Sequence, residues 1–220
     1  MLAIELVADV IPPVHTSDTI QKVIDRMYEF RIKHLPIVNE NQFLGLISED
    51  DLVKETNFQL PIGALSLSLV NPFVLEDQHI YDVIRIFHEQ QLSVVPVLDI
   101  KNNYLGLISI NSLNDYFATI TSIEQPGGII VLEIYNNSNT LAQMAQIVES
   151  DNAQVLSSYV RTFPDSSKME VTLKVNKQDI SAIIATFLRY EYEIKATFNY
   201  KSNNDNVKDR YNSLMNYLNL

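Results

Sequence analysis

The stretch HLPIVNENQFLGLIS at residues 34–48 returns as VVPVLDIKNNYLGLIS at residues 94–109. Each copy reads as an apolar run, a polar tip and a second apolar run, the pattern of two strands joined by a hairpin. Pro36 and Pro96 stand 60 residues apart, Gly45 and Gly106 61 apart. The extra residue falls in the tip, where NENQF becomes DIKNNY, and a solvated tip tolerates insertion.

Working outward, a helix is predicted ahead of each hairpin. Ile20, Val23, Ile24 and Met27 form the apolar stripe of the first, and Ile80, Val83, Ile84 and Phe87 that of the second. Both follow the i, i+3, i+4, i+7 spacing of an amphipathic helix. Upstream, PPVHTSDT and NPFVLEDQ supply a proline-led extended approach to each helix. Downstream, EDDLVKE and INSLNDYFATI read as second helices. Two copies of a unit of about 60 residues predict a pseudo-two-fold pair, because a solenoid needs at least three repeats.

An apolar helix, then h-L-P-I-V, a polar hairpin, G-L-I-S and x-x-D resembles the CBS (cystathionine β-synthase) domain, and two in tandem resemble a Bateman module. The resemblance covers residues 1–60 (repeat 1) and 61–122 (repeat 2). It implies a regulator binding an adenine nucleotide (AMP, ADP or ATP) or S-adenosylmethionine in a cleft of the pair.

The two copies differ at the positions the family uses. Its ribose-binding signature, Ser or Thr, two residues, then Asp, is matched by Ser48 and Asp51, since a carboxylate at a strand-to-helix junction can accept from both ribose hydroxyls. In the second copy Ser112 stands where Asp51 does. Arg31, Lys33 and His34 surround the start of the first strand as phosphate candidates; at an offset of 60 they become Gln91, Ser93 and Val94. By position in the motif, adenine would sit against Val10, Ile11, Pro12 and Pro36. The expected ligand site therefore lies in the first copy. The plainer reading is that Asp51 caps a helix start and that Arg31 and Lys33 form a solvated face.

After QPGG at residues 125–128 the pattern changes. GIIVLEIY, AQVLSSYV, KMEVTLKV and EIKATFNY read as strands. Leu141, Met144, Ala145 and Val148 stripe one helix, and Ile180, Ile183, Ile184, Phe187 and Leu188 another. In KMEVTLKV, Met169, Val171, Leu173 and Val175 share one face. The order βαββαβ predicts a ferredoxin-like sandwich. Residues 128–200 resemble an ACT domain, which implies self-association and, in many members, amino-acid binding. The turn Asn136-Asn137-Ser138-Asn139-Thr140 lacks the family's glycine. The order CBS–CBS–ACT resembles the acetoin-utilisation regulators. The whole is thus an α+β chain: a pseudo-two-fold CBS pair and a ferredoxin-like, ACT-like domain, joined by a linker at 121–127. Residues 201–220 are a polar linker and an amphipathic stretch, with Val207, Tyr211, Leu214, Met215 and Leu218 on one stripe. It is expected to dock on its own sheet or on a partner subunit.

Bulk properties narrow the function classes. A net charge of −11 over 220 residues argues against nucleic-acid binding. The absence of cysteine removes disulfides and thiolate chemistry. The start MLAIELVADV lacks the basic n-region of a signal peptide, and PIGALSLSLV is too short to span a bilayer, so a soluble cytoplasmic protein is expected. HEQQL at 88–92 has Leu92 where a zinc-protease motif needs its second histidine. No phosphate-binding glycine loop or G-x-S-x-G occurs among the five glycines. The expectation is a non-catalytic sensor with no catalytic residue, metal or catalytic cofactor, working as a homodimer and passing its signal to an effector protein. Two other readings stay open: a ligand-free assembly module, and an amino-acid sensor working through the ACT-like interface.

Overall fold

The computed structural model describes residues 1–7, 10–65, 69–135, 140–164 and 166–199. The expected turn at 136–139 and the amphipathic stretch at 201–220 lie outside the described residues. The chain divides into two compact units, the first being Met1–Tyr116 and the second beginning at Phe117.

In the first unit, helices α1 (Ile20–Phe30) and α3 (Ile80–Gln90) stand at the 60-residue offset seen in the sequence. Each buries one stripe: Ile20, Val23 and Met27 in α1, Ile80, Val83 and Phe87 in α3. Strands β1 (His34–Asn39) and β2 (Gln42–Ser48) pair antiparallel, as do β4 (Val94–Leu98) and β5 (Tyr104–Ser109). Both hairpins carry a register shift at the matching place, between Ile37 and Val38 and between Val97 and Leu98. The proline-led approaches lie parallel to these strands, Val14 beside Ile37 and β3 (Val74–Leu75) beside β4.

The leading segment of each copy packs on the other copy. A 3-10 turn at Ala3–Leu6 hydrogen-bonds the second repeat, Ala3 N–H donating to Gln78 O at 2.9 Å and Ile4 N–H to Glu76 O at 3.2 Å. Reciprocally, Ile62 N–H donates to Asp18 O at 2.9 Å and Leu46 N–H to Val70 O at 2.9 Å, while within the first copy Ile20 N–H donates to Leu60 O at 3.0 Å. The last of these satisfies a helix-start amide that has no partner within α1. Gly45 and Gly106 lie beneath these crossings with φ of 146° and 152°. A Cβ on Gly106 would meet Val7 Cγ1 at 2.4 Å and one on Gly45 would meet Leu69 Cβ at 2.7 Å, so only glycine suits G-L-I-S.

The helices that follow the hairpins are unequal. Helix α2 is only Glu49–Leu52, shorter than EDDLVKE suggests, whereas α4 runs over Ile110–Ile120. After Leu52 the backbone turns toward 58–62, where carbonyls of Phe58 and Leu60 serve the first turn of α1. That tertiary role ends the helix early.

The second unit is the expected sandwich. Strands β6 (Gly128–Tyr135), β7 (Val155–Thr162), β8 (Lys168–Val175) and β9 (Glu193–Asn199) form one antiparallel sheet in the order β7-β8-β6-β9. Helices α5 (Leu141–Ser150) and α6 (Ser181–Arg189) complete the βαββαβ order. The core takes Ile130, Leu132 and Ile134 from β6, Met144, Ile147 and Val148 from α5, and Ile183 and Phe187 from α6. Leu141 and Leu188, expected on the stripes, are 47% and 58% exposed; the buried stripe of α5 is Met144, Ile147 and Val148. The other sheet face carries ions. Glu170, 8% exposed, pairs with Lys195 and, at 3.8 Å, with Arg161. Backbone carbonyls of Thr121 and Ser122 accept from Ser157 Oγ and Lys174 Nζ on that face. No helix among the described residues is long and apolar enough to cross a membrane.

Candidate functional site

Strand register brings the candidates together. His34 opens β1 directly opposite Ser48, the last residue of β2, and Ser48 is the N-cap of α2. The Glu49 amide donates to Lys33 O at 2.9 Å, tying the start of α2 to the start of β1. Alongside, Val14 N–H donates to Pro36 O at 2.9 Å and Val38 N–H to Val14 O at 2.8 Å. Arg26, from α1, donates to Pro13 O at 2.6 Å and holds this approach in place.

Ser48 and Asp51 form a capping box. Asp51 Oδ2 accepts from the Ser48 amide at 2.8 Å and hydroxyl at 2.6 Å, and Ser48 Oγ accepts from the Asp51 amide at 3.2 Å. The plainer reading of Asp51 thus describes half of its carboxylate. Oδ1 has no partner among the described residues, and both side chains are only half-buried. The second copy reproduces the cap with serine, Ser112 N–H donating to Ser109 Oγ at 3.0 Å and the two hydroxyls meeting at 2.9 Å. It has the cap without the spare anionic oxygen.

Arg31 is the C-cap of α1, with left-handed backbone at φ 53°, ψ 44°, and Gln91 repeats the conformation at φ 52°. Arg31 and Lys33 are exposed, and neither forms an ion pair among the described residues. Val10 is 71% exposed, Pro12 is exposed and Ile11 packs partly on the core. Pro36 is buried, so it supports the approach strand and offers little surface to a ligand. The cavities of about 320 Å³ on α1 and about 790 Å³ between α5 and α6 include none of these residues.

Sequence reasoning missed Ser93. It registers as the residue lost where the first copy has Lys33, yet its hydroxyl accepts from the amides of Lys33 at 2.9 Å and His34 at 3.0 Å. Its amide donates to His34 Nδ1 at 3.2 Å, and its hydroxyl lies 3.1 Å from the same nitrogen. Nδ1 is therefore an acceptor and the ring proton sits on Nε2. The signal was available: residues 60 apart across a pseudo-two-fold can meet at its axis.

Burial lowers the pKa of His34 below the ordinary 6.5, as does Lys33; the charges of Asp50 and Asp51 oppose this but do not overcome burial. The neutral ring is the folded form, so the unfolded chain binds the extra proton. Stability is full above pH 6.5 and falls as pH drops through that value toward the depressed one. Chemical denaturation at about pH 7.5 and about pH 5 should show this loss, and His34→Gln should flatten it. An unchanged pH slope in the variant would remove His34 as its source.

The family model described as "CBS domain" matches residues 4–57 and 68–119. Among curated proteins, a homoserine O-acetyltransferase of Methanococcus vannielii is 27% identical over 109 residues, 46% of this chain and 22% of that protein. An uncharacterised protein of Methanocaldococcus jannaschii is 27% identical over 96 residues, 44% of this chain and 36% of that protein. The chain thus spans well under half the length of these relatives. Among solved structures, a CBS domain pair/ACT domain protein of Thermotoga maritima is 22% identical, with a TM-score of 0.48, covering 54% of this chain and 98% of that one. A CBS protein in complex with AMP is 16% identical, with a TM-score of 0.46 and coverage of 54% and 97%. A CBS pair in complex with 5-methylthioadenosine and S-adenosylmethionine is 21% identical, with a TM-score of 0.43 and coverage of 54% and 97%. Two family matches falling on the two copies of one strand–hairpin–strand unit leave one conclusion: the chain carries a tandem pair of CBS domains, at residues 4–57 and 68–119.

Proposed function

We propose that this chain is a cytoplasmic, non-catalytic regulator that senses an adenosyl ligand (AMP, ADP, ATP or S-adenosylmethionine) at its first CBS domain. The observation that carries the reading is the divided carboxylate of Asp51: Oδ2 holds the cap and Oδ1 is left for the ribose hydroxyls. Ser48 keeps that carboxylate in one orientation. Arg31 and Lys33, which form no ion pair among the described residues, supply cations for a phosphate or carboxylate, and neutral His34 offers its Nε2–H. Val10, Ile11 and Pro12 give the apolar surface an adenine needs. A ligand here alters the protein only by favouring one arrangement of it over another. The second unit, read as ACT-like, serves self-association, giving a homodimer that acts on an effector protein.

The capping box also favours a second reading, a ligand-free assembly module in which Asp51 has only its structural task. Thermal melting with AMP, ADP, ATP, S-adenosylmethionine and the common amino acids separates the readings. At a hundredfold excess over Kd a single site adds about 2.7 kcal/mol, a rise of about 5–10 °C for a chain of this size. A rise with an adenosyl compound is the expected result. No rise with any of them at millimolar concentration would leave the assembly module. A rise with an amino acid alone would move the site to the second unit.

A further inference from the structure

The starts of β1 and β4 meet, and one side chain ties them. Ser93, just ahead of β4, accepts on its hydroxyl from the Lys33 and His34 amides at 2.9 and 3.0 Å. Its own amide donates to His34 Nδ1 at 3.2 Å. Each strand start also serves a helix. Lys33 O accepts from the Glu49 amide at 2.9 Å and Ser93 O from the Ile110 amide at 3.1 Å, so the first turns of α2 and α4 hang on adjacent backbone. The contacts are therefore continuous from the Ser48–Asp51 cap to His34, which lies opposite Ser48, then to Ser93 and the first residue of α4. There is no return branch. At the offset of 60 residues Val94, fully buried, stands for His34, and Lys33 is the counterpart of Ser93.

We infer that Ser93 is a positioning residue that the second CBS domain contributes to the ligand site of the first, and that the His34–Ser93 contact is a proton-released clasp joining that site to α4. The positioning half rests on the adenosyl reading of the site; the clasp stands without it. The Ser93 hydroxyl fixes the backbone that carries Lys33 and His34. A ligand acceptor at Nε2–H keeps the ring proton there and leaves Nδ1 to receive the Ser93 amide. A second proton does the opposite: Nδ1–H would face the Ser93 N–H donor to donor, and the contact is lost. The charges acting on the ring are Lys33, just ahead of β1, and Asp50 and Asp51 on α2. From β2 comes Ser48 and from the second repeat Ser93, neither of them charged. Burial and Lys33 keep the second proton off until the pH falls below 6.5, against the pull of the two carboxylates.

Amide hydrogen exchange followed by NMR and corrected for intrinsic rates reads the clasp without ligand. From about pH 7.5 to about pH 5, protection of the Ser93 and Ile110 amides should fall together about tenfold, the loss of roughly one hydrogen bond. His34→Gln, which takes up no proton, should show no such fall. Steady protection of Ile110 in the wild type would sink the clasp, as would an equal fall in His34→Gln. The positioning half is read by calorimetric titration with AMP and with S-adenosylmethionine at about pH 7.5. Ser93→Ala should weaken binding about tenfold although Ser93 lies in the other repeat, and Ser93→Thr should restore it by returning the hydroxyl. Binding unchanged in Ser93→Ala would overturn the positioning role. If neither compound binds the wild type, the adenosyl reading falls and takes the positioning role with it, while the exchange experiment still decides the clasp.

Discussion

Asp51→Ala is expected to abolish the thermal stabilisation that an adenosyl ligand is proposed to give the wild-type chain, while Ser112→Ala should leave it intact. The loss is the full ligand increment, about 2.7 kcal/mol at a hundredfold excess over Kd. Without ligand, Asp51→Ala costs about 1 kcal/mol more, because the amide and hydroxyl of Ser48 lose the acceptor in the capping box. The two effects are separable. Asp51→Asn retains a neutral oxygen for the cap, so the free protein should melt near the wild type while binding weakens. Calorimetric melting of the three variants with and without ligand is the measurement. A ligand increment that survives in Asp51→Ala would overturn the assignment of the site to the first CBS domain.

Phe187→Ala should destabilise the second unit by about 3–5 kcal/mol, the usual cost of emptying a fully buried aromatic position. The ring stands edge-on to Tyr192, 5.2 Å between centroids and 79° between planes. Its backbone carbonyl accepts from the amides of Tyr190 at 3.1 Å and Tyr192 at 3.0 Å, ending α6. Removing the ring leaves these bonds but takes away the surface on which Tyr192 rests. Denaturant unfolding followed by tyrosine fluorescence and hydrogen exchange in β6–β9 reads the effect. A loss below about 1 kcal/mol would mean that this core collapses around the gap and that Phe187 is not its keystone.

Repetition and periodicity were legible where a side chain's role is set by its own element. The stripes of α1 and α3 bury the expected residues at the expected offset, except that Ile84 lies at the edge, 39% exposed. Alternation in KMEVTLKV placed Val171, Leu173 and Val175 inward, while Glu170 is buried on the opposite face by pairing with two cations. Alternation reports hydrophobicity and is blind to a carboxylate buried through partners. The length of α2 was illegible because its end is decided by carbonyls at 58 and 60 capping a different helix. Ser93 was misread for a related reason: its partners lie 59 and 60 residues away, across the pseudo-two-fold. At the candidate site, Ser48 and Asp51 were legible as a motif. That one carboxylate oxygen is taken and the other has no partner among the described residues is a matter of geometry, which no spacing rule contains.

The reciprocal crossing of the leading segments means that the boundary between the copies is not a boundary of folding. A break in the chain between residues 60 and 61 would part the two copies, yet it would strip each fragment of the cover lying on its glycine strand. The first fragment would keep Ala3–Leu6, which belongs on its twin, and would lose the backbone that shields Gly45. Neither half is therefore a complete folding unit: each lends the other the strip it lacks, and a lone copy would need a second molecule to supply it.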